Sequence, residues 1–223
     1  FNAITLSWNK NTSASGYIIE QKQNGKWTSI KKISGNSTVT YRVENLSAGR
    51  YYDFRIKAFI WNNDTKTSVH GNYTNVTGAT TLPKVAGVRI GSRTSNAITL
   101  NWNKSTAASG YVIEQKQNGK WTNIKKISGN STVTYRVANL SAGKSYDFRV
   151  KAFTWDNTTR TSVHSDYANV TGATILPKVS GVKIKSRTSN AITLGWNRST
   201  AASGYIIEQK QNGKWVNIKK ISG

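Results

Sequence analysis

Polar and apolar residues alternate along most of this chain with a period of two. In residues 3–8, AITLSW, Ile4, Leu6 and Trp8 share one side of an extended segment while Thr5 and Ser7 take the other, the mark of a strand with one buried face. Residues 9–16, NKNTSASG, carry turn formers without periodicity and read as a loop. In YIIEQK, Tyr17, Ile19 and Gln21 fall on one face and Ile18, Glu20 and Lys22 on the other. Asn24-Gly25 follows, the dipeptide best suited to a two-residue hairpin because both positions need positive φ, and KWTSIKKI returns as its partner strand. Val39, Tyr41 and Val43 alternate in STVTYRV; Tyr52, Phe54, Ile56 and Ala58 alternate against Asp53, Arg55 and Lys57. Residues 60–72 read as a long hairpin turning near Asn62–Asp64, and 73–80 as a closing strand. No segment shows the 3.6-residue spacing of an amphipathic helix, so the expected class is all-β.

The whole pattern recurs. Residues 3–35 return with few changes as 97–129 and 191–223, at an offset of 94 residues that puts Trp8, Trp102 and Trp196 in register. A period of that length marks a tandem array whose units are long enough to bury cores of their own. About seven short strands per period predict two-sheet β-sandwiches. The period divides the chain into 1–82, which lacks a first strand, a complete 83–176, and a partial 177–223. The last piece would leave Ile192, Leu194, Trp196, Tyr205 and Ile207 without a covering sheet, many kcal/mol short of a folded sandwich by area burial. That predicts either a longer parent array or end units completed by neighbouring chains. The joins TTLPKV (80–85) and TILPKV (174–179) hold a Leu-Pro and no Gly/Ser run. Proline fixes φ and keeps the preceding residue extended, so a stiff rod is expected over a flexible string.

LSAGRYYDFRIKAF resembles the tyrosine-corner region of fibronectin type III domains, with Leu46, Gly49 and Tyr52 in the matching places. AITLSW is similar to that family's strand B with its core tryptophan, GYIIEQK to its strand C, and PKVAGVRIGSRTSNAITLNW (83–102) to strand A running into strand B. The resemblance covers the whole chain and implies tandem immunoglobulin-like sandwiches. Lys-rich P-K-V-x-G-V openings and SGYIIEQKQNGKW resemble repeats of surface and secreted proteins of Gram-positive bacteria, implying an extracellular or cell-surface location.

Composition narrows the chemistry. Lys and Arg number 32 against 9 Asp and Glu, a formal charge of +23, which attracts polyanions without naming one. There is no cysteine, hence no disulfide framework. No apolar run approaches the roughly 18 residues of a membrane span. His70 and His164 stand alone in equivalent hairpins, with no Cys, second His or carboxylate pair beside them. No phosphate loop or G-x-S-x-G elbow occurs, so neither catalysis nor a cofactor is expected. Asn-x-Ser/Thr triplets such as Asn36, Asn75 and Asn169 abound, as chance predicts in so Asn- and Thr-rich a chain.

Two candidate surfaces remain. Outward positions place Lys22, Arg55 and Lys57, then Lys116, Arg149 and Lys151, on one face; Lys31, Lys32, Lys125 and Lys126 add to its edge. This basic stripe, set against the plainer reading of a solvated face, points to an anionic cell-wall polymer, the repeats adding their weak sites through effective concentration. Nucleic acid is disfavoured because no aromatic residues interleave with the stripe in sequence. The second candidate is Trp61 and Trp155 near the hairpin tip, for which contact with the next unit and contact with a glycan both stand open. Trp8, Trp102 and Trp196 are expected in the core. The functional expectation is a non-catalytic spacer adhering through its basic face, with a glycan-binding accessory module and a self-assembling fibre as rivals.

Overall fold

The computed structural model describes residues 1–157 and 159–222. Its strands form three groups. The first comprises β1 (Ile4–Ser7), β2 (Gly16–Gln23), β3 (Lys26–Ser34), β4 (Thr40–Val43), β5 (Tyr51–Asn62), β6 (Thr67–His70) and β7 (Thr74–Ala79). The second comprises β8 (Arg89–Arg93), β9 (Ile98–Asn101), β10 (Gly110–Gln117), β11 (Lys120–Ser128), β12 (Thr134–Val137), β13 (Ser145–Asp156), β14 (Thr161–His164) and β15 (Ala168–Ala173). The third has β16 (Lys183–Arg187), β17 (Ile192–Gly195), β18 (Gly204–Gln211) and β19 (Lys214–Ser222). No helix occurs among the described residues.

The second group is a complete sandwich. One sheet runs β12-β9-β8; the other runs β11-β10-β13, with β14 and β15 both on the outer edge of β13. All its pairings are antiparallel. β14 and β15 are one edge strand interrupted at 165–167: the first pairs Phe153–Asp156, the second Ser145–Val150. Between the sheets lie Ile98, Leu100, Tyr111, Ile113, Phe148 and Val150, all essentially inaccessible to water. Trp102 joins them and meets Tyr111 edge-on at 5.4 Å, an arrangement aromatic quadrupoles favour. Two local devices hold the ends. Asn118 and Gly119 take φ of 50° and 80°, which shapes the two-residue turn between β10 and β11. The Ser141 backbone N–H donates to Tyr146 Oη at 2.8 Å, the tyrosine corner expected from the sequence, matched by Ser47 and Tyr52 at 2.7 Å.

The first group repeats this plan without a counterpart of β8. Where β8 lies in the second group, with Ile90 pressed against Gly172, the first group has a cleft of about 790 Å³ lined by Ile4, Leu6, Trp8, Ile56 and Val76. Among the described residues of the third group, β16 pairs only β17, and β18 only β19. Its Ile192 and Ile206 are each 62% exposed.

The join between the first two groups is packed. Leu82, 2% exposed, belongs to the core cluster of the second group together with Val85, and Ala48 packs on the same cluster. Thr154 Oγ1, on β13, donates to the Gly49 carbonyl at 2.6 Å in a buried bond that crosses from one group to the other. Gly49 has φ of +66°, and a Cβ there would come within 2.8 Å of Leu82 and Thr154 side-chain atoms. Both its backbone angle and the close approach call for glycine. The residue before proline is thus an anchor as well as a bend. Leu82→Ala is expected to lower the stability of the second sandwich by about 2–4 kcal/mol, the range for a buried leucine, in urea unfolding of the chain. A loss below about 0.5 kcal/mol, within the range of an ordinary surface change, would show that Leu82 is not part of that core.

Candidate functional site: a basic and aromatic outer face

The sheet containing β10 and β13 turns Val112, Glu114 and Lys116 away from the core on one strand and Arg149, Lys151, Phe153 and Trp155 on the other. This follows from the alternation and from the register Glu114↔Arg149 and Val112↔Lys151. The equivalent register in the first group is Glu20↔Arg55 and Ile18↔Lys57. Lys22, Arg55 and Lys57, with Lys116, Arg149 and Lys151, therefore do share a face within each group.

They are not equivalent charges. Arg149 Nε donates to Glu114 Oε2 at 2.7 Å, and the same carboxylate accepts from Tyr167 Oη at 2.6 Å. The Arg149 guanidinium lies 4.4 Å from the Trp121 ring centroid and 3.7 Å from that of Tyr167. Arg55 repeats every contact with Glu20, Tyr73 and Trp27. Side-chain exposures of 23% for Arg149 and 13% for Glu114 place the pair partly out of water. Burial pushes the Glu114 carboxyl up, but the hydrogen bonds from Tyr167 and Arg149 and the positive charges of Arg149 and Lys151 outweigh it and hold it below its ordinary value. The two arginines are thus bound into the sheet, with their charge answered locally.

The lysines are the cations left over. Lys151 Nζ lies 4.6 Å from the Tyr167 centroid and Lys57 Nζ 4.5 Å from that of Tyr73; Lys22 lies near Trp27 at 6.0 Å. Lys116 is exposed opposite Trp121. The two edge pairs split. A bulge in β11 between the partners of Ile113 and Glu114 sets Lys126 opposite outward Val112 and Lys125 opposite inward Ile113, because an extra residue reverses the face that follows it. Lys126 accordingly sits over Phe153 at 4.6 Å and Lys32 over Phe59 at 4.7 Å. Lys31 instead approaches Tyr41 of β4, at 5.8 Å. Lys125 and Lys31 belong to the sheet edge and stand apart from the stripe.

One expectation is corrected here. No aromatic interleaving is visible in sequence, yet Trp27, Tyr73 and Phe59 (Trp121, Tyr167 and Phe153 in the second group) stand between the cations. Trp27 and Trp121 arrive from β3 and β11, and Tyr73 and Tyr167 from the links before β7 and β15, so a strand-by-strand reading separates them from the cations. Phe59 and Phe153 follow Lys57 and Lys151 on the same strands. The Trp27 and Tyr73 rings both lie against the Arg55 guanidinium, at 4.5 and 3.8 Å, so each already has a cationic partner.

Trp61 and Trp155 remain 41% and 44% exposed. The preceding residue, Thr154, makes the contact with the first group. Trp61 Nε1 donates to Asn63 Oδ1 at 3.1 Å, and its backbone N–H to Ser15 Oγ at 2.9 Å. A cleft of about 410 Å³ beside it is lined by Ser15, Lys32, Ser34, Phe59 and Asn63. His164 Nε2 and Ser162 Oγ lie 2.9 Å apart; burial, then Lys151 and Lys126, hold its pKa below the ordinary value, a local report of positive potential. No cluster of three metal-ligating side chains exists among the described residues, and no described helix is long and apolar enough to cross a membrane.

Residues 83–165 match the family model described as "Fibronectin type III domain". The chain is 23% identical to human Myomesin-2 over 94% of its length and 16% of that protein's. It is 29% identical to Exoglucanase B of Cellulomonas fimi over 60% of its length and 12% of that protein's. It thus spans less than a fifth of either. Among solved structures, a two-domain fibronectin type III segment of chicken tenascin superposes with a TM-score of 0.55 at 15% identity, covering 78% of this chain and 93% of that one.

The Glu114 geometry yields a pH-dependent test. A carboxyl depressed in the folded state contributes stability that is complete above its unfolded value of 4.5 and is lost as pH falls through the folded value. Glu114→Gln is expected to cost about 1–3 kcal/mol at pH 7, the cost of leaving a partly buried partner unanswered. The gap from the unmodified chain should close in urea unfolding as the pH is taken well below 4.5. A gap independent of pH would show that the loss is steric.

Proposed function

Because the chain is a tandem run of fibronectin type III domains, we propose that it is a non-catalytic extracellular spacer, with units at 1–82, 83–176 and 177–223, that adheres to anionic cell-surface polymers through its lysine-rich face. One observation carries this reading: Arg55 and Arg149 are answered by Glu20 and Glu114, while Lys22, Lys57, Lys116 and Lys151 on the same face have no carboxylate within ion-pair distance among the described residues. Two lysines beside a neutralised centre, repeated in each group, suit a flexible, repetitive polyanion better than a single rigid anion. The packed join supports the spacer half, since it resists bending between the first two groups. The arginine contacts on Trp27, Tyr73, Trp121 and Tyr167 also disfavour nucleic acid, whose bases would compete for the same rings. The surface repeats of Gram-positive bacteria that the sequence resembles fit the same role.

A second reading has its own support. Similarity to Exoglucanase B, together with exposed Trp61 beside a polar cleft, favours a glycan-binding accessory module.

Two sets of substitutions separate charge from structure. The quadruple variant Lys22→Gln, Lys57→Gln, Lys116→Gln and Lys151→Gln is expected to weaken binding to polyphosphate or heparin at low salt by roughly tenfold or more, about 1.4 kcal/mol. It should also flatten the salt dependence, since exposed charges are screened by added ions. Glu114→Gln with Arg149→Gln, which leaves net charge unchanged, should lower stability and leave that affinity intact. Equal binding by the quadruple variant and the unmodified chain would remove the adhesive role.

A further inference from the structure

We propose that Trp61, with Lys32, Phe59 and Asn63, forms a subsite for one acidic pyranose residue of a polysaccharide, a hexuronate, and that Trp155 with Lys126 and Phe153 forms its repeat. The proposal rests on the adhesive reading above and sharpens it, naming the polymer as an acidic glycan and the contact as an aromatic platform with one charge.

The tryptophans of this chain differ in what their surroundings leave free. Trp102 is enclosed in the core. Trp27 and Trp121 lie against the guanidinium groups of Arg55 and Arg149. Trp61 and Trp155 combine an exposed indole with an anchored backbone: the Trp61 N–H is held by Ser15 Oγ and the Trp155 N–H by Ser109 Oγ, at 2.9 and 3.0 Å. In the first group the Nε1–H bond to Asn63 also orients the ring. A large apolar ring presented to water costs solvation free energy, and fixing its orientation beforehand lowers the entropy lost when a ligand docks.

The neighbours define the ligand. Lys32 Nζ sits over Phe59 and 5.8 Å from the Trp61 centroid, so its ammonium stands at the rim of the platform. The cleft also offers hydroxyls of Ser15 and Ser34 and the amide of Asn63. Its volume, about 410 Å³, lies in the roughly 300–1,000 Å³ range of small-ligand clefts. A pyranose supplies a C–H face for the indole, hydroxyls for the polar rim, and, if it is a uronate, a carboxylate for Lys32. A neutral sugar would leave the ammonium unanswered, and a phosphate polymer has no face to offer the ring. Ser109, Lys126, Ser128, Phe153, Trp155 and Asn157 occupy the corresponding places one period later. Two weak subsites, one on each of the first two groups, raise the avidity for a chain of repeating units.

The test uses the full chain with oligogalacturonate, neutral cello-oligosaccharide, polyphosphate and a single-stranded oligonucleotide as probes, read by tryptophan fluorescence and calorimetry. Oligogalacturonate should bind saturably, and Trp61→Ala with Trp155→Ala should weaken it roughly tenfold or more while leaving polyphosphate affinity unchanged. Lys32→Gln with Lys126→Gln should weaken oligogalacturonate binding comparably without unfolding the chain, as circular dichroism would report. Oligogalacturonate affinity within twofold of the unmodified chain in the tryptophan variant would overturn the proposal while the adhesive reading stood. So would tighter binding of cello-oligosaccharide, or of the oligonucleotide through the same tryptophans. Failure of both polyanions to bind the unmodified chain would overturn both readings.

Discussion

The outer face of each complete sheet depends on a single carboxylate. Glu114 is the one acidic side chain pointing outward from β10, opposite Arg149 and close to Lys151, and without it the guanidinium would sit half out of water with nothing to answer its charge. An ion pair in this position offsets its desolvation only if the remaining hydrogen-bonding capacity is also used. Tyr167 Oη meets that condition by donating to the second carboxylate oxygen, and the Trp121 and Tyr167 rings lie 4.4 and 3.7 Å from the guanidinium. A cation–π contact contributes about 0.5–2 kcal/mol depending on desolvation, so the ring pair and the carboxylate together hold four strand segments in register on a face that has no hydrophobic core of its own. Glu208 offers the contrast: it occupies the same register in β18, where no strand equivalent to β13 lies beside it, and it is exposed.

This clamp also sorts the charges. Thirty-two basic residues against nine acidic ones describe a strongly positive protein without saying where that charge is presented. Once the arginines are withdrawn into the clamp, the lysines are what the face presents, and a flexible ammonium suits a shifting polyanion where a stacked guanidinium would not. The bulge in β11 refines the set further by turning Lys126 toward Phe153 and Lys125 toward the sheet edge. Position in sequence made those two lysines look alike; the reversal of faces makes them different.

Much of the fold was legible because the signals were local. Alternation in AITLSW and YIIEQK, the Asn-Gly turns and the Leu46, Gly49 and Tyr52 pattern each act over a few residues, and each appears where expected. What stayed hidden depends on partners distant in sequence. Trp27 and Tyr73 come up against Arg55 only once β3, β2, β5 and the link before β7 are assembled into one sheet, so this part of the interleaving was invisible along the chain. The role of Thr154 was hidden for the same reason. Ile60, its counterpart one period earlier, is an exposed apolar residue, and nothing in the sequence says that a hydroxyl at this point would reach the carbonyl of a glycine 105 residues away.

That last bond ties architecture to function. Gly49 can approach β13 because it lacks a side chain, and Leu82 then closes the gap from the linker side, so the join is built from a glycine, a pre-proline leucine and one hydroxyl. Each is small or held, and little freedom is left to lose when a ligand spans the two sandwiches. Weak sites on a rigid support gain from one another when the ligand repeats at a matching interval, because the second contact forms at high effective concentration. A swivelling join would spread that concentration over many useless orientations. Under the adhesive role proposed above, the packed join and the weakness of each surface contact would belong to one design, in which affinity for a long polymer would come from alignment of many modest contacts.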